Sequence, residues 1–394
     1  GGNNTFTGDL TILSGSTTIL TGSADGDVTI AEGGELTLGS FERIDNGSNL
    51  NVDGILNTTG TETVNALTAT GTINGAGTVS ALTTSLSGAT VNANLGDGAL
   101  TSNGNTSLNG NANADTVTVA GGTLTVNGAL TNNSAAINVD AGTLAADGTI
   151  AAAAIDVSEG ATLTTEEAER LNNGVALTND GTVSLGGNET IGDLSGAGTI
   201  TNNGNDLAVT QTSDQTFSGT LSGAGGLTKQ GEATLTLSNG SSFTGDANVN
   251  EGGLVVSGAL ATDTINVANE AALTTTAADL LSSAATLTND GTVTLGGDQT
   301  LTSLIGANTG VVNIGANNLI LTGGADFQGR ISGTNGTVST GPGDLILGGD
   351  NTFTGLLTIL DGSTTTLDGS VDGDVTVNTG AELVLGSAER ITDG

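Results

Sequence analysis

Two acidic clusters are the first places where this sequence could do chemistry. Asp25-Gly26-Asp27 returns as Asp372-Gly373-Asp374, with Asp368 close by. Carboxylates at this spacing suit calcium, a hard cation that gathers oxygen ligands. The Gly-Gly-x-Gly-x-Asp pattern that builds calcium sites into repeat turns is absent, which favours solvated turn carboxylates. Glu166, Glu167 and Glu169 supply carboxylates of the kind used in acid–base work on glycosides. Arg170 stands beside them as a ready ion-pair partner, and nothing else in the sequence marks a cleft there. The six Phe could form a sugar-stacking platform, but with no Trp or Tyr, core packing is the better reading. Arg43, Arg170, Lys229, Arg330 and Arg390 are dispersed and form no basic cluster for a lyase-type reaction. The run SGAGG (222–226) lacks the Gly-Lys-Ser/Thr ending of a phosphate loop and reads as a turn. The expectation is no catalytic, cofactor-binding or metal-ligating residue, and no enzyme.

Composition narrows the classes further. The chain has 394 residues, 66 of them Gly, one Pro, and no Cys, His, Met, Trp or Tyr. Missing Cys removes disulfides, thiolate nucleophiles and Cys-ligated metals; missing His removes the commonest general base. Forty-one acidic residues face five basic ones, a formal charge of −36, which would repel a phosphate backbone and argues against nucleic acid as a partner. No apolar run reaches the roughly 20 residues a membrane-spanning helix needs. The opening GGNNTFTGDL has neither the basic nor the apolar region of a signal peptide. Only 12% of residues are charged and composition does not shift along the chain, so neither a disordered acidic tail nor a set of linked domains is expected. Uniformity over this length points to an array of one kind of unit.

The elements that must position these residues are strands. TVTVAGGTLTV (116–126), AAINVDAGTLAA (135–146) and DVTIAEGGELTLGS (27–40) alternate apolar and small polar residues, the period of strands with one face buried. TTEEAERLNNG (164–174) and its parallel TTAADLLSSA (274–283) read as one or two helical turns, small excursions from that pattern. A short motif, a β-branched residue, a Gly-containing turn and then Leu, recurs in steps of 18 to 20, from Val119 to Val139 to Val157 and from Val249 to Val267. A unit this short buries its apolar face only by stacking on identical neighbours. The expected fold is therefore all-β, a parallel β-helix (β-solenoid) with about 18–20 residues per coil, about 20 rungs and a length on the order of 95 Å. Val, Leu, Ile and Ala would point inward and Thr, Asn, Asp and Ser outward. A β-propeller would need blade repeats of roughly 40 residues, and a β-sandwich would not give a constant short step.

Longer repeats overlie the coil period. LTNDGTVSLGG (177–187) returns as LTNDGTVTLGG (287–297), and Phe217 and Phe243 return as Phe327 and Phe353. GGNNTFTGDLTILSGSTTIL (1–20) returns as GGDNTFTGLLTILDGSTTTL (348–367), and the match continues to GSFERIDNG (39–47) and GSAERITDG (386–394). Residues 1–394 thus read as one continuous solenoid segment with 1–47 repeated at 348–394, slightly more than one period of a longer tandem array; a duplicated pair of caps is the competing reading.

The stretch 226–256, GLTKQGEATLTLSNGSSFTGDANVNEGGLVV, resembles the passenger-associated transport repeat of bacterial autotransporter passengers. The elements that carry the resemblance are Gly-Leu-Thr-Lys (226–229), Thr-Leu-Thr-Leu (234–237), Ser-Phe-Thr-Gly (242–245), and Val249 through Gly252 to Leu254. Residues 343–364 look like a second copy with a diverged first half, and 1–15 like the end of a third. The resemblance implies a right-handed β-helix exported by a Gram-negative bacterium to the extracellular space or cell surface. Giant surface adhesins and matrix proteins use similar arrays.

The functional expectation is an extracellular structural protein, a segment of a giant surface fibre, adhesin or matrix filament. A passenger stalk that presents an adhesive or enzymatic tip outside this window is the alternative, and a polysaccharide-processing enzyme a minor one. Expected partners are further copies, joined end to end or laterally, and cell-surface components or glycans; no cofactor is expected beyond diffuse Ca2+ binding. Thr rows on a flat face also suit an ice-binding surface, but TLTV, TLTL and TVTL do not align at one rung position.

Overall fold

The computed structural model describes residues 5–6, 8–132, 136–386 and 391, with side chains from Gly8 onward. It is all-β: no helix occurs among the described residues, and every described strand pairing is parallel. The chain divides into two compact units, Gly1–Ile191 and Gly192–Gly394. Together they hold about 20 turns of about 19 residues, the parallel β-solenoid expected from the periodicity.

In the first unit, ten strands from Thr17–Leu20 to Thr182–Ser184 form one uninterrupted ladder, each bonded to the strand one coil later. The coil step varies from 16, where Thr78 pairs with Asn94, to 22, where Ala154 pairs with Ala176. Alternation decides which side chains go in. Leu36, Leu56, Ile73, Val91, Leu108, Val126 and Ala146 stack in one register column, and all are buried. In the second unit Leu235, Leu254, Leu273, Val293, Val312 and Ile331 form the matching column. Each side chain covers the one below it, so no rung has a core of its own. The end-to-end sequence repeat carries the same local structure: the strands Leu10–Ile12, Val28–Ile30 and Glu35–Leu38 recur as Leu357–Ile359, Val375–Val377 and Glu382–Leu385.

The Phe residues of the second unit go to the core as expected. Phe217, Phe243, Phe327 and Phe353 are fully buried. Each sits above a glycine of the preceding rung, respectively Gly196, Gly223, Gly306 and Gly333, and Leu237 and Leu347 lie above Phe217 and Phe327. A ring is too large for a column of leucines, and the glycine below gives it room. Phe41, in contrast, is exposed, and the side chain of Phe6 lies outside the described set.

The helical reading of 164–174 and 274–283 is corrected. The strands Thr162–Thr165 and Ala272–Thr275 are followed by turns. Glu169 and Asp279 hold φ of 54° and 52°, in the left-handed region where a right-handed helix cannot continue. Leu171 and Leu281 then bridge back to Ile150 and Leu260 of the preceding rung. The inward-outward rule also needs an exception at the corners, where Asn179, Asn202, Asn289 and Asn351 are buried. Asn289 shows why: its Nδ2 donates to the Val311 carbonyl at 3.0 Å and its Oδ1 accepts the Gly291 N–H at 3.1 Å, so one amide ties its own turn to the strand one coil later.

Glycine columns explain much of the 66-Gly composition. At Gly148 an added Cβ would lie 1.9 Å from the Gly128 carbonyl oxygen, and at Gly128 it would lie 2.4 Å from that of Gly110. Gly174 has open space around its Cβ position. Gly148→Ala is expected to cost about 1–3 kcal/mol through backbone displacement, while Gly174→Ala is expected to be neutral or to stabilise by about 0.4–1 kcal/mol through the unfolded chain. Paired thermal or urea unfolding of the two variants checks this; equal effects would mean that the rungs are not stacked this closely.

Candidate functional site

The acidic clusters flagged in sequence do not converge. Asp27 is exposed, and its carboxylate accepts the Asn49 N–H at 2.8 Å and Asn49 Nδ2 at 3.2 Å one coil later. The backbone and side-chain bonds from Asn49 hold its pKa below the ordinary carboxylate value. The Asp27 N–H in turn donates to Asp9 Oδ1 at 3.2 Å, so this aspartate ties three rungs together. Among the described residues no group of three or more His, Cys, Asp or Glu is arranged to hold a metal ion. Glu167 pairs with Arg170, Glu169 accepts the Thr190 hydroxyl at 3.1 Å, and Glu166 is an exposed turn residue. Arg390 lies outside the described residues.

Below that loop sits a group the sequence reading missed. Glu189 is buried, and its carboxylate accepts the Arg170 N–H at 2.9 Å and the Leu171 N–H at 3.2 Å. Glu62 does the same for the loop at Phe41–Ile44, accepting the Arg43 N–H at 2.9 Å and the Ile44 N–H. Burial raises both pKa values above the ordinary glutamate value, and the loop amides oppose the rise. In the second unit Gln299 takes this position: its Oε1 accepts the Leu281 N–H at 3.1 Å and its Nε2 donates to the Ala277 carbonyl at 3.0 Å. A signal was there to be read. Ile44, Leu171 and Leu281 are each followed 18 residues later by Glu or Gln, then Thr, then an aliphatic residue.

Lys229 is the second such group. It is fully enclosed, and its Nζ donates to three carbonyl oxygens, those of Gln230 at 2.8 Å, Gly231 at 2.7 Å and Glu251 at 3.0 Å. Burial lowers its pKa, against the attraction of Glu251 and Asp214. Outside this corner Glu232, Glu251 and Glu270 recur one per rung and, with Asn250, Gly252 and Asn269, line an open depression of about 410 Å³. The depression carries charge, but the ammonium beside it is spent on the backbone. What the arrangement does chemically is close a turn: one side chain donates to three carbonyls, and that of Gln230 also accepts the Gln211 N–H at 2.9 Å.

Comparison with known proteins bears on this corner. Residues 227–256 and 338–369 match the family model of the passenger-associated-transport-repeat, as the resemblance in sequence implied. No curated protein and no solved structure matches the chain. The first match runs from the strand that holds Lys229 through Gly253–Val256. In the second, the register puts the buried Thr340 where Lys229 stands, and the Ser363 hydroxyl donates to the Gly341 carbonyl. Two copies of one repeat thus close the same turn with different donors. Repeats of this kind belong to autotransporter passengers, which are secreted to the cell surface. Repeat and fold together fit a passenger-type structural domain, a stalk rather than an enzyme.

Two pH tests follow from the buried groups. With no His, Cys or Tyr and a single Lys, Lys229 is the one side chain that titrates in the alkaline range. Its folded pKa is depressed, so the unfolded chain holds the proton longer and stability should rise as pH climbs through the window between the depressed value and the ordinary one. Lys229→Met should abolish that rise and cost about 2–4 kcal/mol by removing the donor to the Gly231 and Glu251 carbonyls. Glu189 has the opposite sign. Its folded pKa is raised, so its stabilising contribution is complete below the ordinary glutamate value and is lost as pH rises through the folded one. Glu189→Gln, which copies Gln299, should keep the fold and gain on the parent as pH goes from 4 to 7. Melting temperatures at both pH values measure it; a variant that falls behind at pH 7 would show that the carboxylate is required.

Proposed function

We propose that this chain is an extracellular structural segment of a giant surface fibre, adhesin or matrix filament of a Gram-negative bacterium. The observation that carries the reading is the pair of passenger-associated repeats built into the ladders of a parallel solenoid. Its mechanism is mechanical and colloidal. Backbone ladders give each unit stiffness, stacked aliphatic columns give it a dry interior, and the charge of −36 keeps copies apart until salt or divalent cations screen it. Diffuse Ca2+ binding by exposed carboxylates belongs to this reading, as does contact with cell-surface components or glycans. The absence of Cys and Met suits an oxidising exterior. The alternative, a passenger stalk with an adhesive or enzymatic tip outside this window, is favoured by the same repeats.

An enzyme is less well supported. The carboxylates best enclosed by the fold, Glu62 and Glu189, are engaged by backbone amides, and the enclosed amine is engaged by carbonyls.

Protease shaving of intact cells that make the protein tests the location: the chain should be cleaved from the surface without lysis, and protection until lysis would overturn the reading. The isoelectric point is about 4.1, so light scattering should stay flat at pH 7 in low salt and rise as pH approaches 4. Scattering that is unchanged down to pH 4 would remove charge as the barrier to association.

A further inference from the structure

Nine Asn-Gly pairs occur in the chain, and in such a pair the glycine nitrogen can attack the side-chain amide before it. The fold decides which nitrogen is free to do so. Gly104, Gly110 and Gly128 donate their N–H to the carbonyls of Gly121, Val91 and Leu108 at 2.9, 3.2 and 3.2 Å. Gly47 and Gly204 donate to the side chains of Asp45 at 2.9 Å and Asn202 at 3.3 Å. In these five pairs the nitrogen is held away from the asparagine that precedes it. The side chains of Asn109 and Asn127 are engaged as well, donating to Asn92 at 2.6 Å and to Asn109 at 2.7 Å.

Asn239–Gly240 is built differently. It lies at the corner between the strands Thr234–Leu237 and Ser242–Phe243, outside the ladder, and Asn239 is exposed. The Gly240 N–H donates to Oδ1 of Asn239 itself, at 2.9 Å. Neither group has another hydrogen-bond partner among the described residues. Cγ is one bond from Oδ1, so the fold holds nucleophile and electrophile together across the ring that would join them, in water.

We infer that Asn239–Gly240 is a self-modification site, at which the folded chain converts asparagine to aspartate and isoaspartate without an enzyme. The Gly240 nitrogen loses its proton to hydroxide and adds to Asn239 Cγ. The new C–N bond closes a succinimide as the Cγ–Nδ2 bond breaks, and Nδ2 leaves as ammonia with a proton from water. A second water opens the ring. Attack at Cγ restores the main chain and leaves aspartate; attack at the α-carbonyl leaves isoaspartate, with the main chain routed through Cβ and Cγ. One water is consumed and one ammonia released for each conversion, with no oxidant, metal or cofactor.

The site distinguishes the two passenger-associated repeats. Asn239–Gly240 stands four residues before Phe243, and the same place before Phe353 is Gly349–Asp350, which cannot react in this way. Conversion therefore adds a negative charge to the first repeat alone. Isoaspartate also lengthens the main chain where there is no slack: a Cβ on Gly258 of the next rung would stand 2.1 Å from the Asn239 carbonyl carbon. The inference goes beyond the structural reading above and does not depend on where the protein is displayed.

The test ages the full chain in mildly alkaline buffer, folded and in parallel denatured in urea, and maps its peptides by mass spectrometry with a separate assay for isoaspartate. In the folded chain Asn239 should convert about tenfold faster than Asn103, Asn109 and Asn127, giving both products. In urea the rates should converge, because the positioning is gone. Gly240→Ala fits the fold, since its Cβ would lie 3.6 Å from the Ala259 carbonyl oxygen. It should slow conversion at Asn239 by shielding the attacking nitrogen while leaving the other pairs at parent rates. Equal rates at the four asparagines of the folded chain would overturn the inference. So would conversion to aspartate without isoaspartate, which marks direct hydrolysis, or a Gly240→Ala chain that converts as fast as the parent.

Discussion

A strand of three or four residues has no means of holding itself in place. Its N–H and C=O groups need partners, its apolar side chains need cover, and a coil of about 19 residues supplies neither. Both come from the coils before and after, through the parallel ladder. In each unit this is the interaction on which the other features depend. It fixes the register, and the register puts like side chains in columns. A column then tolerates only what its neighbour above and below can accommodate. The Phe–Gly pairs express this constraint directly: Phe327 occupies a column only because Gly306 precedes it, and a Cβ there would stand 3.1 Å from the ring.

Columns also explain where the unusual residues lie. Strands satisfy their backbone in the ladder, whereas corners leave amides and carbonyls facing the interior with no strand opposite. An unpaired buried group costs about 1–3 kcal/mol, so each such corner needs a side chain to serve it. Glu62 and Glu189 serve amides, Lys229 serves carbonyls, and Gln299 and Asn289 serve both. Burying a charge is expensive in itself, and the raised and lowered pKa values register that cost. Hydrogen bonds to the charged form offset it. These residues would pass for catalytic groups on a list of perturbed titrations, yet each is engaged by the backbone it stabilises.

The fold was legible because its signal is redundant. Alternation at 116–126 and the recurring Val-turn-Leu motif repeat the same message many times, and no single deviation can hide it. The corners were not legible for the converse reason. Glu189 sits in a strand, Glu189–Ile191, whose alternation marks position 189 as inward, but a lone glutamate is normally read as solvated. Only the shared 18-residue spacing from Ile44, Leu171 and Leu281 identifies it, and that spacing acquires meaning once the coil is known. The helical reading of 164–174 failed on the same residue. TTEEAERL has good local helix formers, and the buried carboxylate one coil later overrides them by taking the Arg170 and Leu171 amides. Lys229 was visible inside the passenger-type motif, but dispersal along the chain made it look like one of several surface cations.

What a solenoid of thin coils can offer a partner follows from the same geometry. The interior is filled by interdigitated columns, and the depression beside Glu251 is open rather than enclosed. Recognition must then use the one property the surface has in abundance, repetition at the rung spacing. Repetition of carboxylates repels other copies and attracts counter-ions. Repetition of a neutral amide does neither. The protein therefore carries rows of carboxylate, at Glu232, Glu251 and Glu270, and rows of amide, at Asn74, Asn92, Asn109 and Asn127, at different positions of the coil on one backbone pattern.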